Sequence, residues 1–223
     1  MRSNDELELI KVFDALSWHL VVADAFRKVH KGLLAELQVR TIAHVAPTFF
    51  RMTLAAMYDT AFLSLARIFD VKPGTVRLSH FLDVADKTAG TFAHASPETV
   101  RSIIHQSRAK ISSAQSLLTP LRIRRNKMLA HLSKETVLDP QAVEDETATT
   151  DAEWEELIST AAGILNEVRV AFDGLMFSGE LLDWEDYENL MRVIREGKKK
   201  QVLDYERDFG DFPYPEQKTD LGM

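Results

Sequence analysis

Residues 121–131 read Leu-Arg-Ile-Arg-Arg-Asn-Lys-Met-Leu-Ala-His, which places arginines, an amide and a lysine ahead of a single imidazole. An imidazole titrates near neutrality and moves protons at physiological pH. A guanidinium holds a phosphate and stabilises charge that develops on it. The pair suits cleavage of RNA by attack of its 2′-hydroxyl, a reaction that requires no metal. His131 is the candidate proton carrier, and Arg124 and Arg125 are the candidate phosphate ligands. On a helix, at about 100° per residue, Arg124 and His131 fall about 20° apart, whereas Arg125 lies about 120° away. Arg125 sits among Leu121, Met128 and Leu132 on that wheel and is directed at an interface. The wheel does not choose between the two arginines.

The surrounding charge supports a polyanionic substrate. Residues 101–134 carry eight basic side chains and no acidic one. Residues 135–190 carry one basic and sixteen acidic, and the whole chain has a formal charge of −7. The basic stretch supplies a field that draws in RNA, with Arg122, Arg124 and Lys127 as contacts beside the chemistry. The blander reading is a solvated basic face that pairs with the acidic block 135–190. That block folding near the basic helix would mask it at rest or shape a groove for RNA.

Other chemistries find no support. The 223 residues contain no cysteine, so thiolate metal sites, disulfides and cysteine nucleophiles are excluded. Glu-x-x-His and His-Glu-x-x-His pairs are absent, as are glycine-rich phosphate loops and Gly-x-Ser-x-Gly. No metal and no cofactor is expected. His19, His30, His44, His80, His94 and His105 have no companion pattern and read as surface or satisfied core groups. With no apolar run long enough for a membrane span and no signal-like start, a cytoplasmic protein without membrane contact is expected.

The elements that must position these residues are helices. Nine glycines and apolar spacings of three and four nearly throughout predict an all-α fold, a single bundle of five to seven helices. Ser3 or Asn4 opens a first helix to about residue 41, with Ile10, Phe13, Leu16, Leu20 and Ala23 on its buried stripe. Pro47 opens a second, buried along Phe50, Leu54, Met57, Ala61, Leu65 and Ile68, and the stretch 71–75 ends it. A short helix follows at 77–88. Ser96, Pro97 and Glu98 start a helix over 97–118, and Thr119-Pro120 starts a new one over 120–134 or kinks the same one. Residues 135–150 read as the clearest loop in the chain. Thr150 and Glu153 form a capping box opening a helix buried along Trp154, Leu157, Ala161, Ile164, Val168, Ala171 and Leu175. A last helix carries Trp184, Tyr187, Met191 and Ile194. The aromatic residues read as core rather than as base-stacking platforms. One helical domain is expected over 1–203, followed by an irregular tail over 204–223.

At Arg125-Asn126-Lys127-Met128-Leu129-Ala130-His131 the sequence resembles the HEPN superfamily, whose signature is an arginine, usually a polar follower, and a histidine after four to six intervening residues. The segment from Tyr58 to Asp70 is similar to the second-helix segment of HEPN proteins of the abortive-infection (AbiU2-like) type. The resemblance spans about residues 1–200. It implies a helical homodimer in which the Arg–His helices of two protomers form one composite, metal-independent endoribonuclease site. His131 would then be general base or acid, Arg125 would bind the scissile phosphate and Asn126 would orient one of them, with Arg124 as the alternate to Arg125. Such proteins act in toxin–antitoxin or phage defence, which implies RNA as substrate and an antitoxin protein as a further partner. Some members have lost activity and serve as modules that bind nucleotide, RNA or protein. Members modified by a nucleotidyltransferase antitoxin often carry a tyrosine two residues after the histidine, and here that position is Ser133. Arg67 and Asp70, three residues apart, read as an intrahelical pair bracing the bundle.

Overall fold

A computed structural model describes residues 3–37, 45–130, 133–178 and 186–223, and the fold is all-α, with no strand among the described residues. Seven helices have ten residues or more: α1 (Asn4–Leu37), α2 (Pro47–Ile68), α3 (Leu78–Lys87), α4 (Pro97–Ser113), α5 (Gln115–Arg124), α8 (Asp151–Asp173) and α9 (Asp186–Phe209). Three short ones complete the described set: α6 (Lys134–Leu138), α7 (Pro140–Glu146) and α10 (Pro215–Asp220).

Local start signals place most of these boundaries. Pro47 occupies the first position of α2, and Ser96 accepts the Thr99 N–H ahead of Pro97. Thr150 and Glu153 close a reciprocal capping box at α8, and Gly174 ends that helix with φ of 75°, a left-handed value natural to glycine. Three boundaries differ from the sequence expectation. The break near Pro120 falls instead at Ala114, and Pro120 lies inside α5. The expected loop 135–150 contains α6 and α7. Asp139 accepts the Ala142 N–H ahead of Pro140, the same cap-then-proline signal that opens α4. Nor is 204–223 an irregular tail. α9 runs to Phe209, where the Tyr205 ring packs on Phe209 and Phe212. Glu206 then pins the following turn by accepting from Lys218 and from the Phe212 N–H.

Where the sequence suggested one domain over 1–203, compactness divides the chain into two units. Unit 1 comprises Met1–Asp24 and Thr60–Glu180, and unit 2 comprises Ala25–Asp59 and Leu181–Met223. Both units draw on α1 and α2. α1, at roughly 50 Å, is longer than one small core covers. The core of unit 1 holds Leu16, Leu20, Phe62, Leu65, Phe81, Leu82, Leu157 and Ile164, each at most 1% exposed. α4 packs on α3 and α8, and Phe62 meets Trp154 edge-to-face at 5.6 Å. Trp154 is thus a core residue, as expected, while Trp184 lies outside the described residues. Unit 2 is built on Leu33, Phe50 and Met191, with Leu54, Tyr187 and Ile194 packed against them. Tyr187 lies so close over Gly32 that a side chain there would collide with its ring.

Candidate active site

The Arg125 segment is wound differently from the helix that leads into it. α5 ends at Arg124, and Arg125–Ala130 forms a π-helix. This widened turn is uncommon and occurs frequently at functional positions. It also removes the basis of the helical wheel, because a π-turn advances fewer degrees per residue than an α-helix. The widened winding coincides with ties from the chain that follows. The Lys127 carbonyl accepts the Ser133 N–H at 3.2 Å and the Thr136 hydroxyl at 3.0 Å. Ser133 in turn accepts the Thr136 N–H at 3.1 Å and so caps α6. His131 lies outside the described residues.

Arg125 is held firmly. Its Nη1 donates to Asp70 Oδ1 at 2.8 Å, with side chains only 24% and 13% exposed. Its Nε donates to the Asn126 side-chain oxygen at 3.1 Å. The same Asp70 oxygen accepts the N–H groups of Val71 and Lys72 at 2.8 and 3.2 Å, fixing the chain where α2 ends. Burial pushes the Asp70 carboxyl up, but the Arg125 bond and the two backbone donors outweigh it and hold the group below the ordinary carboxylate range. Asp70 therefore turns to Arg125 and not to Arg67. The Arg67 charge acts on His19, whose imidazole is held below its ordinary value by burial and then by that guanidinium. Sequence reading missed the Asp70–Arg125 pair because 55 residues separate the partners. The available signal was that both lie in the two segments that resemble HEPN proteins.

The remaining candidates are placed in the same unit. Arg124 lies over the Phe62 ring at 5.3 Å, a cation–π contact that directs it toward the core. Arg122 donates to the Gln115 side chain at 3.0 Å, and Lys127 meets Glu146 of α7 at 3.2 Å. Thus Arg125 and Asn126 are brought together, whereas Arg122, Arg124 and Lys127 are each drawn to separate partners.

Many cations of the basic stretch face carboxylates within unit 1. Arg101 meets Asp86 at 3.8 Å, Arg108 meets Asp83 at 2.9 Å and Lys110 meets Glu167 at 2.6 Å. With Arg125 and Lys127, five of its eight cations face carboxylates. Only Glu146 and Glu167 of those partners come from 135–190; Asp70, Asp83 and Asp86 come from the end of α2 and from α3. Among the described residues no group of three or more His, Asp or Glu side chains is arranged to hold a metal ion, and no helix is long and apolar enough to cross a membrane.

Comparison with known proteins gives no match to a curated protein and none to a solved structure. A family model described as AbiU2, of the HEPN group, matches residues 6–193. That span holds both the end of α2 and the π-turn that the Asp70–Arg125 bond ties together, and on this match the chain belongs to the AbiU2 family of HEPN proteins.

Proposed function

We propose that this chain is a metal-independent endoribonuclease of the abortive-infection type. The observation that carries the proposal is the Asp70–Arg125 bond, which fixes a guanidinium on a π-turn directly ahead of His131 in a chain of HEPN family. In the reaction, His131 takes the proton from a ribose 2′-hydroxyl, and that oxygen attacks the adjacent phosphorus. Arg125 holds the phosphate oxygens, and Asn126 orients the guanidinium. The bond from phosphorus to the 5′-oxygen breaks, and that oxygen receives a proton. The products are a 2′,3′-cyclic phosphate and a 5′-hydroxyl, with no water consumed. A homodimer supplies two copies of His131, one for each proton transfer. An antitoxin protein as regulator and a cytoplasmic setting belong to the same reading.

A second reading, a non-catalytic module that binds nucleotide, RNA or a protein, draws on the same bond from the other side. Arg125 is already engaged by Asp70 and Asn126, as a purely structural arginine would be. One experiment separates the two. Purified wild-type and His131→Ala proteins are incubated with a mixed RNA pool in EDTA, and fragment ends are analysed. Cleavage by wild type alone, leaving cyclic phosphates, is the outcome expected; intact RNA with both proteins would leave the binding module in its place.

A further inference from the structure

Within unit 2, α1 and α2 leave an open groove between them, lined by one face of each helix. On α1 that face carries His30, Leu34 and Leu37, and on α2 it carries Pro47, Arg51, Ala55 and Tyr58. The α2 positions recur every three or four residues and so share one side of the helix. Phe50 and Leu54, which pack on the Leu33–Met191 core, complete the lining. The cavity measures about 470 Å³, within the range of small-molecule sites.

Its polar groups are few and stand apart along an apolar channel. The His30 and Tyr58 rings meet at 5.5 Å, tilted by 49°. Arg51 lies seven residues before Tyr58 on the same side of α2, roughly 10 Å away along the helix axis. Leu54 and Ala55 lie between them, and Leu34 across the groove is 46% exposed, apolar surface that a ligand would remove from water. Arg51 is exposed and meets no carboxylate among the described residues. None of the lining residues is acidic, so the guanidinium faces the groove uncompensated.

We propose that this groove binds a small amphiphilic anion, a medium-chain carboxylate. Its head meets Arg51, and its chain lies over Leu34, Leu54 and Ala55 toward the His30–Tyr58 pair. A guanidinium holds a carboxylate through two parallel N–H···O bonds, and an octanoyl chain covers the distance from Arg51 to Tyr58. One cation beside a short apolar run matches one head and one chain, whereas an acidic partner helix would bring several charges to a single guanidinium. All the lining residues lie within Ala25–Asp59 of unit 2, so the site stands or falls independently of the ribonuclease reading.

The test titrates full-length protein with octanoate by calorimetry, below its micelle concentration, and follows amide hydrogen exchange with and without it. Octanoate binds at one site per chain and slows exchange over the described residues of Ala25–Asp59, while α3, α4 and α8 are unchanged. Hexanoate, two methylenes shorter, binds about tenfold more weakly. Octanol, which lacks the charge, binds about 5- to 10-fold more weakly than octanoate. Arg51→Gln removes the preference for octanoate over octanol, and Arg51→Lys keeps most of it, which separates charge from damage to the fold. Ala55→Trp fills the groove from an exposed position and abolishes binding. Equal binding of octanoate and octanol to wild type, or a preference that survives Arg51→Gln, would overturn the proposal, as would the absence of octanoate binding. Protection of the same residues by an acidic helical peptide or by phosphatidylglycerol vesicles, with none from octanoate, would make the groove a protein or membrane contact instead.

Discussion

Asp70 decides how the candidate arginine behaves, because one carboxylate oxygen takes the guanidinium and two backbone N–H groups. Asp70→Asn keeps an acceptor of the same shape but removes the charge, and should cost about 1–2 kcal/mol at neutral pH, measured by urea unfolding. The sign of the pH dependence follows from the depressed folded-state pKa. The contribution is fully present above the unfolded carboxyl value of about 3.9 and is lost as pH falls through the lower folded value. The gap between wild type and Asp70→Asn should therefore close only in strong acid; a gap that closes near pH 6 would assign the effect to another group. Under the ribonuclease reading the same substitution loosens Arg125 and lowers cleavage by about 10- to 100-fold without altering the fold. His19 carries the opposite lesson. Burial and Arg67 lower its pKa, so the unfolded chain takes up that proton first. Stability then falls as pH drops below about 6.5 until the folded value is passed. His19→Gln should lose less stability than wild type between pH 7 and pH 5, read from the urea midpoints.

Among the elements, what is written locally was legible and what is imposed from a distance was not. Ser96-Pro97 and Thr150 with Glu153 announce α4 and α8 because the cap and the bond it makes lie within one turn. Thr150→Ala should cost about 1 kcal/mol, visible as a lower thermal midpoint. Asp139-Pro140 uses the same grammar, yet the acidic, threonine-rich surroundings suggested a loop. Buried Val143 and Thr147 show that the stretch packs, with the Thr147 hydroxyl bonded to the Val143 carbonyl. The π-winding of Arg125–Ala130 had no signature in apolar spacing, since its ties run from the Lys127 carbonyl to Ser133 and Thr136, beyond the segment itself. The sequence resemblance pointed to Arg125 and Asn126 but not to the carboxylate that Arg125 meets. A π-turn holds one residue more than α-winding needs, so deleting Met128 should let the segment relax to an α-helix. Helix content by circular dichroism should be preserved, while under the ribonuclease reading RNA cleavage should disappear. Retained cleavage would show that the wide turn is incidental to the chemistry.

For the whole molecule, the consequence of the fold is a division into two compact units that sequence order conceals. Unit 1 holds the Asp70–Arg125 bond, and unit 2 holds the three-helix core around Leu33, Phe50 and Met191. Neither unit is a continuous stretch of chain, which is why composition alone suggested one domain with a tail. Each has its own buried cluster, so each has its own local stability, and a change confined to one core should be felt mainly there. Gly32 offers a clean probe, because the Tyr187 ring occupies the space where a side chain would be. Gly32→Ala gains helix propensity of up to about 1 kcal/mol but forces Tyr187 away from its packing, a cost of about 1–3 kcal/mol. Amide hydrogen exchange should accelerate across the described residues of Ala25–Asp59 and of α9 and α10, while α3, α4 and α8 keep their protection. Gly32→Ala combined with Tyr187→Leu should recover most of the loss, since the smaller side chain vacates the collision. Uniform acceleration over both units would instead mean that the two cores unfold as one, and the division of the chain would then describe compactness without describing stability.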